Sequence, residues 1–280
     1  MKRDKNEESE IKLENVRLRP TLEYQKAENL FVKQEEKPDL DDVYQKQFEK
    51  RKSFLRESKM ARKMLLAASK TNNNSLFYEK ISIEAFCPKL ERVGYGDGGK
   101  FVCDAELARK GCVLLSLGLN NQINFEKDFQ NRTGFKCALF GIDVSPQSAR
   151  TLESYKKIGG KAYVGEIGEK YPIAKLLDES PKKQKHVDFL KIDIEGGEQR
   201  ALLPFLENHF VCQIFVEIHF NTMDHMILMS NIANLGFRMF NFEPNPFCRN
   251  CCEFSYINEL CMAEYDVIPL SYRVPLDLDY

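Results

Sequence analysis

The chain has 280 residues with 41 basic and 42 acidic side chains, a formal net charge of −1, nine cysteines and no tryptophan. That length holds one large domain, or a domain with an extension. The near-balance of charge excludes a dedicated nucleic-acid binder, which carries a basic surplus against phosphate. No apolar window reaches the length of a membrane span, and the opening MKRDKNEESE lacks the apolar core of a signal peptide, so the sequence as written reads as cytoplasmic.

Residues 1–70 hold 18 basic and 14 acidic side chains and little that is apolar. Residues 1–38 therefore read as a disordered or loosely helical extension. From Asp39 an apolar stripe through Val43, Tyr44, Phe48, Leu55, Met64, Leu65 and Leu66 predicts an amphipathic helical segment over 39–75, ending at the polar break Thr71 to Ser75. Its basic flank suits either a solvated helix face or an acidic partner surface. A domain over 76–280 follows. In it, GYGDGGK (94–100) reads as a tight glycine turn before the short strand FVCDA, because it lacks the Gly-Lys-Ser/Thr ending of a phosphate loop.

After Gly111, strand and helix patterns alternate. CVLLSLGL, KCALFGID, KAYVGEI, VDFLKIDIE and VCQIFVEIHF read as strands. Between them, and after the last, lie INFEKDFQNR, PQSARTLESYKKI (capped by Ser145), YPIAKLLDES, EQRALLPFLENH and MDHMILMSNIANLG as helices. Then FRMFNFEP, CCEFSYIN and CMAEYDVI read as strand after strand. Five β–α units closed by a hairpin predict an α/β, Rossmann-like sheet of order 3-2-1-4-5-7-6, with the antiparallel pair at one edge. Cys112, Cys137 and Cys212 lie in apolar runs and read as buried thiols. Cys248, Cys251, Cys252 and Cys261 cluster without a second zinc-spaced pair.

Ligands of such sheets bind beyond the carboxyl ends of the strands. The first strand ends in SLGLNN, where Gly118 lets a ligand approach the backbone. The second ends in Asp143, an acid able either to accept from both hydroxyls of a ribose or to cap the next helix. The GxGxxG fingerprint of nicotinamide enzymes is missing. On the fourth strand Asp193 and Glu195 share a face by their two-residue spacing, and on the fifth Glu217 and His219 do the same. If these strands are neighbours, the four groups converge. They then serve as a general base, as ligands for a divalent cation, or as a buried histidine hydrogen-bonded to a carboxylate.

VDFLKIDIEGGEQRALLPFL resembles the D-x-x-K-I-D-x-E-G-x-E pattern of FkbM-type S-adenosylmethionine-dependent methyltransferases. GYGDGGKFVC, LSLGLNNQINFEKDF, EIHF and NFEPNPFCRNCCEFSYIN resemble segments of the methyltransferase-like protein 24 group, over about residues 76–270. The resemblance implies a class I methyltransferase fold with S-adenosylmethionine over the first loop. Asp143 then lies on the ribose, Glu166 near the adenine, and Asp193, Glu195 and Gly196 along the methyl-transfer side. The acidic-x-Gly-x-Gly-x-Gly motif departs here to SLGLNN, with Ser116 in place of the acid and Asn120 left to bond the methionine end. Members of this group often begin with an anchor in the secretory route, which implies that location if the N-terminus is incomplete.

The expected activity is O-methyl transfer to a hydroxyl of a small molecule or glycan, with cofactor contacts at Gly118, Asn120, Asp143, Glu166, Asp193, Glu195 and Gly196. His219 or Asp193 is the base, and Glu217 orients the histidine. A divalent cation at Asp193, Glu217 and His219 is the variant mechanism. The alternative, drawn from the departed glycine motif, is a non-catalytic binding module that keeps the fold without the cofactor.

Overall fold

The computed structural model describes residues 40–168, 170–178 and 185–274, so the expectations for residues 1–38 lie outside it. Residues 51 onward belong to one compact unit. Helix α1 spans Leu40–Ser69, and Leu65 and Ala68 on its last turns are buried. A short helix α2 (Asn74–Glu79) follows, capped by the Asn73 side chain, which accepts from the Leu76 N–H. Short strands β1 (Ala85–Phe86), β2 (Leu90–Val93) and β3 (Lys100–Cys103) come next, β2 and β3 forming an antiparallel hairpin whose turn is GYGDGG. The turn reading of that segment holds.

The central sheet has seven strands. In chain order the remaining elements are β4 (Val113–Leu117), α3 (Asn124–Thr133), β5 (Ala138–Asp143), α4 (Ala149–Lys157), β6 (Gly160–Val164) and α5 (Ile173–Asp178). Then come β7 (His186–Ile192), α6 (Glu198–Leu206), β8 (Phe210–His219), α7 (Thr222–Asn234), β9 (Phe237–Pro244), β10 (Cys251–Asn258) and β11 (Ile268–Pro269). The sheet order is β6-β5-β4-β7-β8-β10-β9, with β10 antiparallel to β8 and β9 and the other pairs parallel. Counted from β4, this is the order 3-2-1-4-5-7-6 expected from the sequence. β4 and β7 are buried almost throughout, as central strands covered on both faces must be. Two apolar clusters fill the faces, one around Leu115, Leu190 and Ile214, the other around Phe125, Phe129, Phe189 and Phe215.

Three local expectations change. CMAEYDVI is not a strand: a 3-10 turn at Glu259–Cys261 and coil lead to β11, which pairs with β1. The cap of α4 is Ser148, whose Oγ accepts from the Thr151 N–H at 3.1 Å, and not Ser145. Cys112, Cys137 and Cys212, read as buried thiols, are paired, as Cys112–Cys137 and Cys212–Cys261; Cys87–Cys103 and Cys248–Cys251 are paired as well, which leaves Cys252 free and buried. Register supplies the reason. Val113 pairs with Ala138, so Cys112 and Cys137, one residue earlier on each chain segment, meet with Cα atoms 4.3 Å apart. No helix among the described residues is long and apolar enough to cross a membrane.

Candidate active site

The carboxyl ends of β4, β5, β7 and β8 open into a cavity of about 630 Å³. Its floor is the loop after β4. Gly118 sits at φ +82°, and a Cβ there would overlap the carbonyl oxygen of Asp193. Asn120 and Asn121 follow at φ +44° and +56°, the left-handed region that asparagine tolerates better than most side chains. The loop is tied to the segment after β5: the Asn120 N–H donates to Asp143 Oδ2, the Asn121 N–H to Gln147 Oε1, and the Ser148 N–H to Asn121 Oδ1, each at 2.7 Å. Lys191 Nζ donates to the Gly118 carbonyl at 3.1 Å and lies 3.7 Å from the buried Glu126 carboxylate. Asparagines and tertiary bonds thus supply the shape that extra glycines would otherwise supply.

Asp143 borders the cavity, and its other oxygen accepts from the Ser145 N–H at 2.9 Å. It braces loops and does not cap α4. Glu166 reaches the rim, where Lys170 at 2.7 Å holds its carboxyl below the usual range. Ser116 is fully buried beneath the loop.

On the opposite wall the chain leaves β7 at Ile192, so Asp193 and Glu195 stand in a turn and not on one strand face. Glu195 and Gly196 take φ +55° and +104°. The turn closes on Glu198, whose Oε1 accepts from the N–H groups of Ile194 and Gly196 at 3.2 and 3.1 Å. The same oxygen accepts from His219 Nδ1 at 3.0 Å. Glu198, not Glu217, therefore orients the histidine. With Nδ1 committed, Nε2 is directed at three carboxylates: Glu195 at 3.5 Å, Asp193 at 3.8 Å and Glu217 at 3.8 Å. Burial pulls the His219 pKa down, but the bond to Glu198 and the charges of Glu198, Glu217 and Asp193 outweigh it and raise it to about 9.

Glu217 is buried, and its carboxyl is pushed up by burial and by Asp193, then pulled back by a hydrogen bond from Asn245 at 2.8 Å and by Lys100. Asn245 also donates to Asp97 at 2.8 Å and so links the β9–β10 loop to the β2–β3 turn. Phe247, 89 % exposed on that loop, borders the cavity beside the Cys248–Cys251 disulfide. Lys100, buried at the start of β3, pairs with Glu253 and stands 3.8 Å from Asp193.

The sequence brought together Asp193, Glu195, Glu217 and His219, and the structure does so as well. It missed Lys100, Lys191, Glu198, Asn245 and Glu253. For Glu198 a signal was present, an acid immediately after the Gly196–Gly197 pair at a helix start, but it reads as a favourable dipole partner until its side chain is seen turning back.

Three groupings of ligand atoms lie within 4.8 Å of one another among the described residues: Glu217, His219 and Cys251; Asp193, Glu195 and His219; and Asp193, Glu217 and Glu253. Two are not open donor sets: Cys251 of the first is spent in a disulfide, and Lys100 reaches into the third. In the second, His219 gives Nδ1 to Glu198, and that bond and the surrounding carboxylates raise its pKa.

The family described as "Methyltransferase domain" matches residues 33–258. No curated protein sequence matches the chain. Among solved structures, a Methanococcus jannaschii fibrillarin pre-rRNA processing protein is 16% identical, with a TM-score of 0.41 over 56% of this chain and 70% of that one. Aeropyrum pernix fibrillarin with bound S-adenosyl-L-methionine is 12% identical, with a TM-score of 0.41 over 61% and 84%.

Proposed function

Since the chain belongs to this methyltransferase-domain family and has the class I methyltransferase fold, we propose that it is an S-adenosylmethionine-dependent O-methyltransferase acting on a hydroxyl of a small molecule or glycan. The observation that carries the reading is the Glu198–His219 pair, which leaves Nε2 facing the cavity across from the Gly118 loop.

The cavity fits the cofactor in size, since small-molecule sites run from about 300 to 1,000 Å³. It also fits in chemistry, with Asp143 for ribose hydroxyls, Glu166 at the adenine end, and Asn120 and the Asp193–Gly196 turn toward the methionine end. When bound, S-adenosylmethionine supplies an already activated methyl group. The protein's share is then position and proton removal. Asp193 aligns the acceptor hydroxyl, unprotonated His219 takes its proton on Nε2, and Glu198, Glu217 and Asp193 stabilise the imidazolium that results. Phe247 offers an apolar face to the acceptor at the rim.

The departed glycine motif motivated a non-catalytic alternative. The left-handed Asn120 and Asn121, bonded to the β5–α4 segment, favour the enzyme. Calorimetry with S-adenosylhomocysteine tests the point: one site per chain is expected, and no heat would return the alternative. His219→Ala should keep that site and lose transfer. The resemblance to the FkbM-type and methyltransferase-like protein 24 enzymes agrees with this reading. Eight of the nine cysteines are paired, which favours an oxidising, secretory-route setting over the cytoplasm. Mass mapping of cystine peptides from secreted and cytosolic preparations checks it.

A further inference from the structure

We propose that Lys100 is the resident cation of this site, standing where Asp193, Glu217 and Glu253 would otherwise hold a divalent metal, and that its removal uncovers a latent metal site. The argument begins with register. β8 and β10 pair antiparallel with Glu217 directly opposite Glu253, an arrangement in which like charges repel across the pair. Asp193 comes from the turn after β7, and the three carboxylates offer oxygens within 4.8 Å of one another. Glu217 and Glu253 are buried, and burial and their acidic neighbours push both carboxyls up, Glu253 to about 8 even with Lys100 against it, so the cluster calls for a counter-charge.

Lys100 is that counter-charge. Its side chain is almost wholly buried, which lysine tolerates only when paired. The ammonium donates to Glu253 Oε1 in direct contact and to the Asp97 carbonyl at 3.4 Å, and Asp193 Oδ2 lies at ion-pair distance, 3.8 Å. Burial alone would lower the lysine's pKa, but Glu253, Asp193 and Glu217 together raise it, so the charge is kept. The second oxygen of Glu253 is buried with no hydrogen-bond partner, an acceptor left over once the ammonium is placed.

The lysine is delivered by fixed structure. β3 lies across β8 and β10: Ser255 Oγ donates to the Phe101 carbonyl at 2.8 Å, Gln213 bonds both the N–H and the carbonyl of Cys103 at 3.0 and 2.8 Å, and Cys103 is tied to Cys87. The GYGDGG turn thus sets the start of β3 where Lys100 enters the cluster. A lysine is a compact point charge on a stem, so one side chain fills the place and denies a metal the open ligands it needs. Lys100 is a positioning residue: it holds the Asp193 carboxylate aimed at the acceptor, and it fills the place that a divalent cation would take.

The test is calorimetric titration of the full chain with Mn²⁺, an ion suited to carboxylate ligands. Wild type should show no saturable site that Asp193→Asn removes. Lys100→Ala should bind one Mn²⁺ per chain at least ~10-fold more tightly than wild type, a gain that adding Glu253→Gln abolishes, and Lys100→Arg, which keeps a cation, should behave as wild type. A wild-type Mn²⁺ site dependent on Asp193 would overturn the proposal, as would a folded Lys100→Ala chain that binds no better than wild type. Should Lys100→Ala not fold, the wild-type titration with its Asp193→Asn control decides alone. S-adenosylhomocysteine binding, measured in parallel, reports on the methyltransferase reading separately, since its loss would leave the Mn²⁺ result standing.

Discussion

Gly118→Ala tests whether the floor of the site is built by close approach of two backbones. Two costs add at this position. The first is conformational: φ is +82°, and an L side chain held in the left-handed region costs about 1–2 kcal/mol. The second is steric, because the new Cβ would run into the Asp193 carbonyl oxygen, which is backbone and cannot rotate away; overpacking of this kind costs about 1–3 kcal/mol. The sum is about 2–5 kcal/mol. Relief requires the 118–121 loop and the 193–197 turn to separate, straining the bonds from the Gly118 N–H to Ile142 and from the Asp193 N–H to Leu117, at 2.9 and 3.0 Å. Gly134→Ala is the control. Its φ is +62°, but a Cβ there meets nothing within 4 Å, so it carries only the first cost, about 1–2 kcal/mol. Denaturant unfolding of both variants with S-adenosylhomocysteine calorimetry should show Gly118→Ala the less stable, and that variant alone deprived of ligand binding. Equal destabilisation, with binding intact, would refute the close-approach argument.

Transfer catalysed by His219 should rise with pH through an inflection around 9, and Glu198→Gln should move that inflection toward the ordinary histidine range near 6.5 while lowering the plateau; a wild-type profile flat between pH 7 and 10 would take the proton from His219 and give it to Asp193. His225 is buried between Phe77, Tyr78 and Phe254 with its pKa lowered, chiefly by burial, to about 4. A base depressed in the folded state is neutral there while the unfolded chain takes up a proton, so its effect on stability is nil above about 6.5 and unfavourable as pH falls to 4, approaching about 3 kcal/mol. Urea midpoints of wild type and His225→Gln should therefore converge on acidification. Replacing Cys112 and Cys137 with alanine opens a loop of 25 residues and should cost about 3.5 kcal/mol by the chain-entropy relation, read from denaturant unfolding under non-reducing conditions.

The sheet was legible because burial writes itself into strands: VDFLKI and VCQIFV are apolar on both faces, and helices between them force parallel neighbours. The site was legible where polar residues interrupt those runs, at IDIE and EIH. It was not legible where a residue's role depends on a partner far along the chain. Lys100 looked like the end of a glycine turn because its partners lie 93 and 153 residues away. Glu198 looked like a helix-start acid because its bond to His219 exists only once β7 and β8 are neighbours. Cystine pairing was hidden for the same reason, since Cys112 and Cys137 meet through a register that no local pattern encodes.

The β9–β10 loop has a kinetic consequence. It is fastened by Asn245 to Asp97 and Glu217 and closed by the Cys248–Cys251 bridge, so Phe247 is presented on a short segment held at both ends. A rim so fastened keeps one width with or without a guest. Acceptors should be admitted or refused by their girth, and their association should be a single exponential whose rate climbs linearly with concentration. A hinged entrance would instead show a ceiling set by its own opening.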